Sequence, residues 1–229
     1  MSLLGKTILV LASMPVETAE ATVENPWTDG RITNPWIETE EAIVSVIRAV
    51  ADAGGRVAII GDRISSLLAA TVAGEYVDPA AAEGEGERRP APVIIAGGEV
   101  DEELLALPAS LGTAEIAIQS FGEIAESAAA LVCIGSTSIR REVQLFRERN
   151  RYAPIFAFAQ TGGATHELAD TFLAQGVSFV DVEAAHYRPK RRQRDLGLSP
   201  EDEDEEDEHE FEYPAFSFAA QLIVERLEG

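Results

Sequence analysis

The sequence predicts an α/β fold: a three-layer, doubly wound, Rossmann-like domain built on a mostly parallel sheet. Two observations predict it. Short apolar runs of strand length alternate with segments of helical periodicity along most of the chain. In two places, Ala130–Asn150 and Ala153–Asp170, an apolar run leads through a small-residue turn into an amphipathic helix. In a parallel sheet such a turn lies at the carboxyl edge of a strand, where backbone N–H groups meet a helix N-terminus. The 229 residues suit a single domain, 1–229, with a sizeable core.

Thr7–Ala12 (TILVLA) reads as the first strand, ending at Ser13-Met14-Pro15. Val16–Ile37 reads as a loop, with Asn-Pro-Trp triplets starting at Asn25 and Asn34. Proline disfavours helix at the residue before it. Trp27 and Trp36 are then anchors of this loop, or part of a lid over a ligand. Glu38–Ala53 carries Ile43, Val46, Ile47 and Val50 at helical spacing, and Gly54-Gly55 stops it. Arg56–Ile60 is the second strand, Gly61-Asp62-Arg63 its turn, and Ile64–Tyr76 the next helix. Asp78–Ala91 is polar and glycine-rich, which marks a surface insertion. Its Gly84-Glu85-Gly86 lacks the Lys-Ser/Thr ending of a P-loop.

Pro92–Ala96 is the third strand, and a short strand is expected at Ile116–Ile118. Ile124–Ala129 reads as helix, Ala130–Ile134 as strand and Ile139–Asn150 as helix. Pro154–Phe158 reads as strand, Ala164–Ala174 as helix and Val177–Val182 as the last strand. His186–Arg194 is a basic cluster. Glu201–Glu210 holds nine acids and one histidine. Blocks of like charge stay solvated, so a flexible acidic insertion is expected at about 195–212. A closing helix follows at about 215–227, with Phe216, Phe218, Leu222, Ile223 and Leu227 as its core contacts.

Composition narrows the function. The net charge is −22, and the only lysines are Lys6 and Lys190. An acidic, lysine-poor surface fits a halophile's protein, where high salt screens self-repulsion. The alternative is an acidic binding surface. No extended basic face exists to match a phosphate backbone, so free nucleic acid is not an expected partner. No apolar run reaches the roughly 20 residues of a membrane span, so no membrane partner is expected and the chain reads as cytoplasmic. Cys133 is the sole cysteine. It lies in an apolar strand, so an inert buried thiol is expected. His166, His186 and His209 lack metal-ligand spacing. No metal and no cofactor is expected. There is no G-x-S-x-G nucleophile elbow, and no G-x-G-x-x-G follows the first strand.

Three strand-to-helix turns are candidate ligand contacts: Gly61-Asp62-Arg63, Gly135-Ser136-Thr137-Ser138 and Thr161-Gly162-Gly163-Ala164. Small residues let a backbone approach a phosphate closely. Their N–H groups lie at the positive end of the following helix. Ser and Thr hydroxyls can cap that helix and contact a ligand. Arg140 and Arg141 open the helix after the second turn and could pair with a phosphate. Glu142 could accept from ribose hydroxyls or assist in breaking an N-glycosidic bond. The plainer reading is that such turns and first-turn acids occur in every doubly wound domain and stabilise the helix alone.

At these residues the chain resembles the SLOG superfamily, Rossmann-like domains related to the LOG phosphoribohydrolases and to the DNA-processing protein DprA. It is closest to the prokaryotic branch associated with TIR domains in anti-phage systems. The resemblance covers roughly Thr7–Phe179 and the terminal helix. It rests on Leu11-Ala12-Ser13-Met14-Pro15 after the first strand and Ile60-Gly61-Asp62-Arg63 after the second. It rests further on Cys133–Glu142, against I-G-G-x-x-G-x-x-x-E, and on Thr161–Ala164. Of the LOG motif P-G-G-x-G-T-x-x-E, Gly135 and Glu142 keep their places, while Ile134 stands at the proline and Ser136 and Ser138-Ile139 replace glycines and threonine. The resemblance implies a nucleotide-type ligand at the three turns and at Ser13 and Met14, with no catalysis implied. A sensor of a nucleotide signal is the expected function, working through a homo-oligomer or a separate effector protein. The alternatives are a nucleotide N-glycosidic-bond hydrolase using Glu142, and a structural protein with a vestigial pocket.

Overall fold

The computed structural model describes residues 3–15, 23–25, 31–33, 35–76, 93–96, 114–117, 121–135, 139–158, 161, 165, 179–181, 185–187 and 213–228. In chain order the elements are β1 (Thr7–Ser13), β2 (Val23–Asn25), β3 (Arg31–Thr33), α1 (Pro35–Asp52), β4 (Arg56–Gly61) and α2 (Arg63–Ala73). A 3-10 turn at Gly74–Tyr76 extends α2. Then follow β5 (Val93–Ala96), β6 (Ala114–Ala117), α3 (Phe121–Ser127), β7 (Ala130–Gly135), α4 (Arg140–Arg149) and β8 (Ile155–Phe158). The last are β9 (Phe179–Asp181), β10 (Ala185–Tyr187), β11 (Tyr213–Ala215) and α5 (Phe216–Glu228).

Seven strands form one sheet in the order β6-β5-β4-β1-β7-β8-β9. Every neighbouring pair is parallel. From β1 the chain winds outward through β4, β5 and β6. It then returns to the other side of β1 and continues through β7, β8 and β9. The order therefore reverses between β1 and β7, and a doubly wound sheet opens a crevice at the carboxyl ends of such a strand pair.

Alternate side chains of each strand enter different cores, as the period of two requires. Ile8, Val10, Val132, Ile134, Phe156 and Phe158 pack with α1, α2 and α5. Leu9, Leu11, Leu131, Cys133, Ile155 and Ala157 pack with α3 and α4 on the other face. The result is three layers. Full burial of each large side chain contributes about 1.5–3 kcal/mol. Cys133 is wholly buried, and burial pushes its thiol up to about 12, so it is inert.

The helices obey the same logic. Ala42, Ile43, Val46, Ile47 and Val50 make one buried stripe on α1. Pro35 is its first residue, where a missing N–H costs nothing. Gly54, at φ +76°, terminates it in the left-handed conformation that a side chain resists. On α5 the stripe is Phe216, Ala219, Ala220, Ile223 and Val224. The Phe216 ring lies 5.9 Å from that of Phe158, tying α5 to β8.

Four expectations are corrected. The loop read at Val16–Ile37 contains the antiparallel pair β2–β3, and its last three residues belong to α1. Trp36 packs against the core from the first turn of that helix. A second antiparallel pair, β10–β11, was not foreseen. Leu222 is 49% exposed, because α5 turns its Ala219–Ile223 stripe inward instead. The strand expected at Ile116–Ile118 lies at Ala114–Ala117. Beyond Thr165, the helix expected at Ala164–Ala174 lies outside the described residues. So do Trp27, the segment Asp78–Ala91, the acidic insertion at 195–212 and the Phe218 side chain. Among the described residues no helix is long and apolar enough to cross a membrane.

Candidate functional site

The buried polar side chains of the described residues are Ser13, Glu38, Thr39, Ser65, Ser66, Thr161 and Thr165. All of them lie at the carboxyl edge of the sheet. Ser13 ends β1, Glu38 and Thr39 sit in the first turn of α1, and Ser65 and Ser66 in that of α2. Thr161 and Thr165 follow β8. At the amino edge Arg56, the first residue of β4, is half-buried and also buries its Nε. Buried polar groups are costly unless they have a hydrogen-bond partner.

The turn after β7 is the centre of this edge. Gly135 pairs with Ser13 across the switch point and has φ +76°. A Cβ there would stand 2.0 Å from the Ser13 carbonyl oxygen and 3.2 Å from Cγ2 of Thr39. Only glycine fits. Its N–H donates to the Thr161 hydroxyl at 2.7 Å, and that hydroxyl donates to the Phe158 carbonyl at 2.6 Å. The Thr165 hydroxyl donates to the Gly135 carbonyl. Thr161 therefore braces the neighbouring turn.

Helix α4 receives no side-chain cap from its capping residue. The capping position is Ile139, which has no acceptor to offer. This corrects the expectation of a Ser or Thr cap: the helix starts one residue later than the sequence reading, at Arg140. Its first N–H groups thus receive nothing from the capping side chain, and such groups favour an anion. Arg140 and Arg141 are exposed on the first turn. Glu142 beside them has a buried Oε2 with no hydrogen-bond partner among the described residues.

The turn after β4 is built differently. A Cβ on Gly61 would stand 2.1 Å from the Ala12 carbonyl oxygen, so the strand pair needs glycine here too. Asp62 caps α2, accepting from the Ser65 N–H at 2.9 Å through Oδ1. Its Oδ2 accepts from the Met14 N–H at 2.6 Å. Both oxygens are committed to the fold, locking the exit of β1 to the start of α2. Met14 is buried, and Arg63 is exposed as the first residue of α2.

The structure thus brings Ser13, Met14, Gly61, Asp62, Gly135 and Thr161 to one edge, with Arg63, Arg140, Arg141 and Glu142 on the flanking helix starts. Ser136, Thr137, Ser138, Gly162, Gly163 and Ala164 lie outside the described residues.

Sequence reasoning missed Glu38 and Thr39. Glu38 is 5% exposed and Thr39 wholly buried. Glu38 Oε2 and Thr39 Oγ1 both lack hydrogen-bond partners among the described residues. Burial, and secondarily the charge of Glu41, pushes the Glu38 carboxyl up to about 7. The available signal was positional: the first turn of the helix after β1 faces the switch point in any doubly wound sheet. Thr165 was also missed.

No cluster of metal-ligand side chains occurs among the described residues. Fold and edge together define the class: a doubly wound α/β domain with buried polar side chains at the carboxyl edge of its sheet. No family model, no curated protein and no solved structure matches the chain.

Proposed function

We propose that the protein binds a nucleotide-derived small molecule across the carboxyl ends of β1 and β7. One observation carries this reading: the buried polar side chains collect at that edge, and several of their oxygens have no partner. Glu38 Oε2, Thr39 Oγ1, Ser65 Oγ and Glu142 Oε2 are buried there without a hydrogen-bond partner among the described residues. Each such atom costs about 1–3 kcal/mol unless something bonds it. The start of α4, where Ile139 supplies no cap, and the cations Arg140 and Arg141 suit a phosphate. The likeness of the β7 turn to the SLOG pattern supports the same ligand class. In this reading the domain senses the ligand and passes the signal to a second copy or a separate effector.

A thermal-shift panel in molar KCl tests it, using NAD, ADP-ribose, AMP and cyclic dinucleotides, with mass spectrometry of each mixture. A ligand that binds only the folded state raises its apparent stability. Stabilisation with the ligand intact is the expected result, and no shift from any of them would sink the reading.

The buried, unpartnered Oε2 of Glu142 favours a second reading, an N-glycosidic-bond hydrolase in which this carboxylate stabilises positive charge growing on the ribose. Release of free base, abolished by Glu142→Gln with binding retained, would establish the enzyme.

A further inference from the structure

Resting on the nucleotide reading, we infer that Glu38 and Thr39 form a sugar subsite, taking the vicinal hydroxyls of the ligand's ribose at the first turn of α1. Thr39 is wholly buried against the Gly135 turn, its Cγ2 within 3.2 Å of where a Gly135 Cβ would be. Its Oγ1 has no partner among the described residues, nor has Oε2 of the adjacent Glu38. The two atoms belong to consecutive residues on the helix that packs over β1, β4 and β7.

The chemistry of the pair selects the ligand group. A carboxylate oxygen only accepts, while a hydroxyl donates and accepts. A phosphate presents acceptors and negative charge, so it fits the ionised Glu38 badly. A sugar hydroxyl donates to the carboxylate and can accept from the threonine. With the Glu38 carboxyl held near neutrality, a hydroxyl also remains a competent partner when that acid is protonated, because it accepts as well. The division of labour follows: the α1 start holds the sugar, and the α4 start with Arg140 and Arg141 holds the phosphate.

Calorimetric titration of the full chain in molar KCl with AMP, 2′-deoxy-AMP and 3′-deoxy-AMP tests this, with ADP-ribose as a second ribosyl probe. The wild type should bind AMP about tenfold more tightly than either deoxy analogue, the expected consequence of leaving a buried polar group unpaired. In Glu38→Leu and in Thr39→Val the preference should fall to about twofold or less. Both variants replace an orphaned polar atom with an apolar one, so their melting temperatures should hold or rise. Equal binding of AMP and its deoxy analogues would overturn the sugar subsite while leaving the nucleotide reading intact. A ribose preference surviving in both variants would overturn the subsite as well, by placing the hydroxyls elsewhere. Binding of neither AMP nor ADP-ribose would overturn both.

Discussion

The turns after β4 and after β7 begin alike and end differently. Each opens with a glycine pressed against a carbonyl of β1, at 2.1 Å from Ala12 O and 2.0 Å from Ser13 O for an added Cβ. After Gly61 comes Asp62, which caps its helix and clamps Met14 with its two oxygens. After Gly135 the helix begins behind Ile139, with no side-chain cap, and Glu142 holds a buried oxygen without a partner among the described residues. The first turn is closed by Asp62, whereas Ile139 offers the second helix no such acceptor. An acid in a small-residue turn is therefore no sign of a ligand until its oxygens are known to be free.

The largest effect should come from removing what the two turns share. Gly135→Ala must push against Ser13 O at a positive φ, and about 4 kcal/mol or more of stability should be lost in urea unfolding. Gly61→Ala should cost somewhat less, having the clash without the left-handed backbone. Equal and small losses would show that β1 can shift and that neither turn is tightly held.

The next effect separates the ends by pH. The Glu38 carboxyl sits at about 7 in the folded protein against an ordinary 4.5. Below the lower value it is protonated folded and unfolded alike. Between the two, only the folded state keeps the proton, so stability falls as pH rises, by roughly 3 kcal/mol once pH exceeds 7. Glu38→Gln should remove that share of the decline, read as the difference between the two proteins' unfolding curves from pH 4.5 to 8. Parallel curves would mean that the folded chain does not hold this proton.

Asp62→Ala should have the smallest effect, about 2 kcal/mol from the lost cap and the bond to Met14. Nucleotide affinity should stay within about twofold of wild type, since the closed turn offers the ligand no free carboxylate oxygen. A tenfold loss of affinity with little loss of stability would reverse the contrast and make Asp62 a ligand contact.

Much of the fold was legible because the strands of the central sheet are apolar and punctuated by glycine. Thr7–Ala12, Arg56–Ile60 and Ala130–Ile134 stand out for that reason, and the structure places β1, β4 and β7 over them. The pairs β2–β3 and β10–β11 were not, because three residues are too few to show a period of two. On α5 the spacing admitted both Ile223 and Leu222 to the core, and only packing turned one in and the other out. At the site, Gly135 and Thr161 were legible from small-residue turns after strands. Glu38 and Thr39 were not, since a first-turn acid ordinarily caps or complements a helix in water.

Composition, run length and glycine placement are local properties, and they sufficed for the α/β class, for most elements of the sheet and for the two glycine turns. Burial is not local. Whether Asp62 serves the fold, whether Ile139 or a serine stands at the helix cap, and whether Glu38 keeps its proton depend on which elements meet at the β1–β7 reversal. That meeting joins residues as distant in the chain as Thr39, Gly135 and Thr165, through contacts that no window of sequence contains.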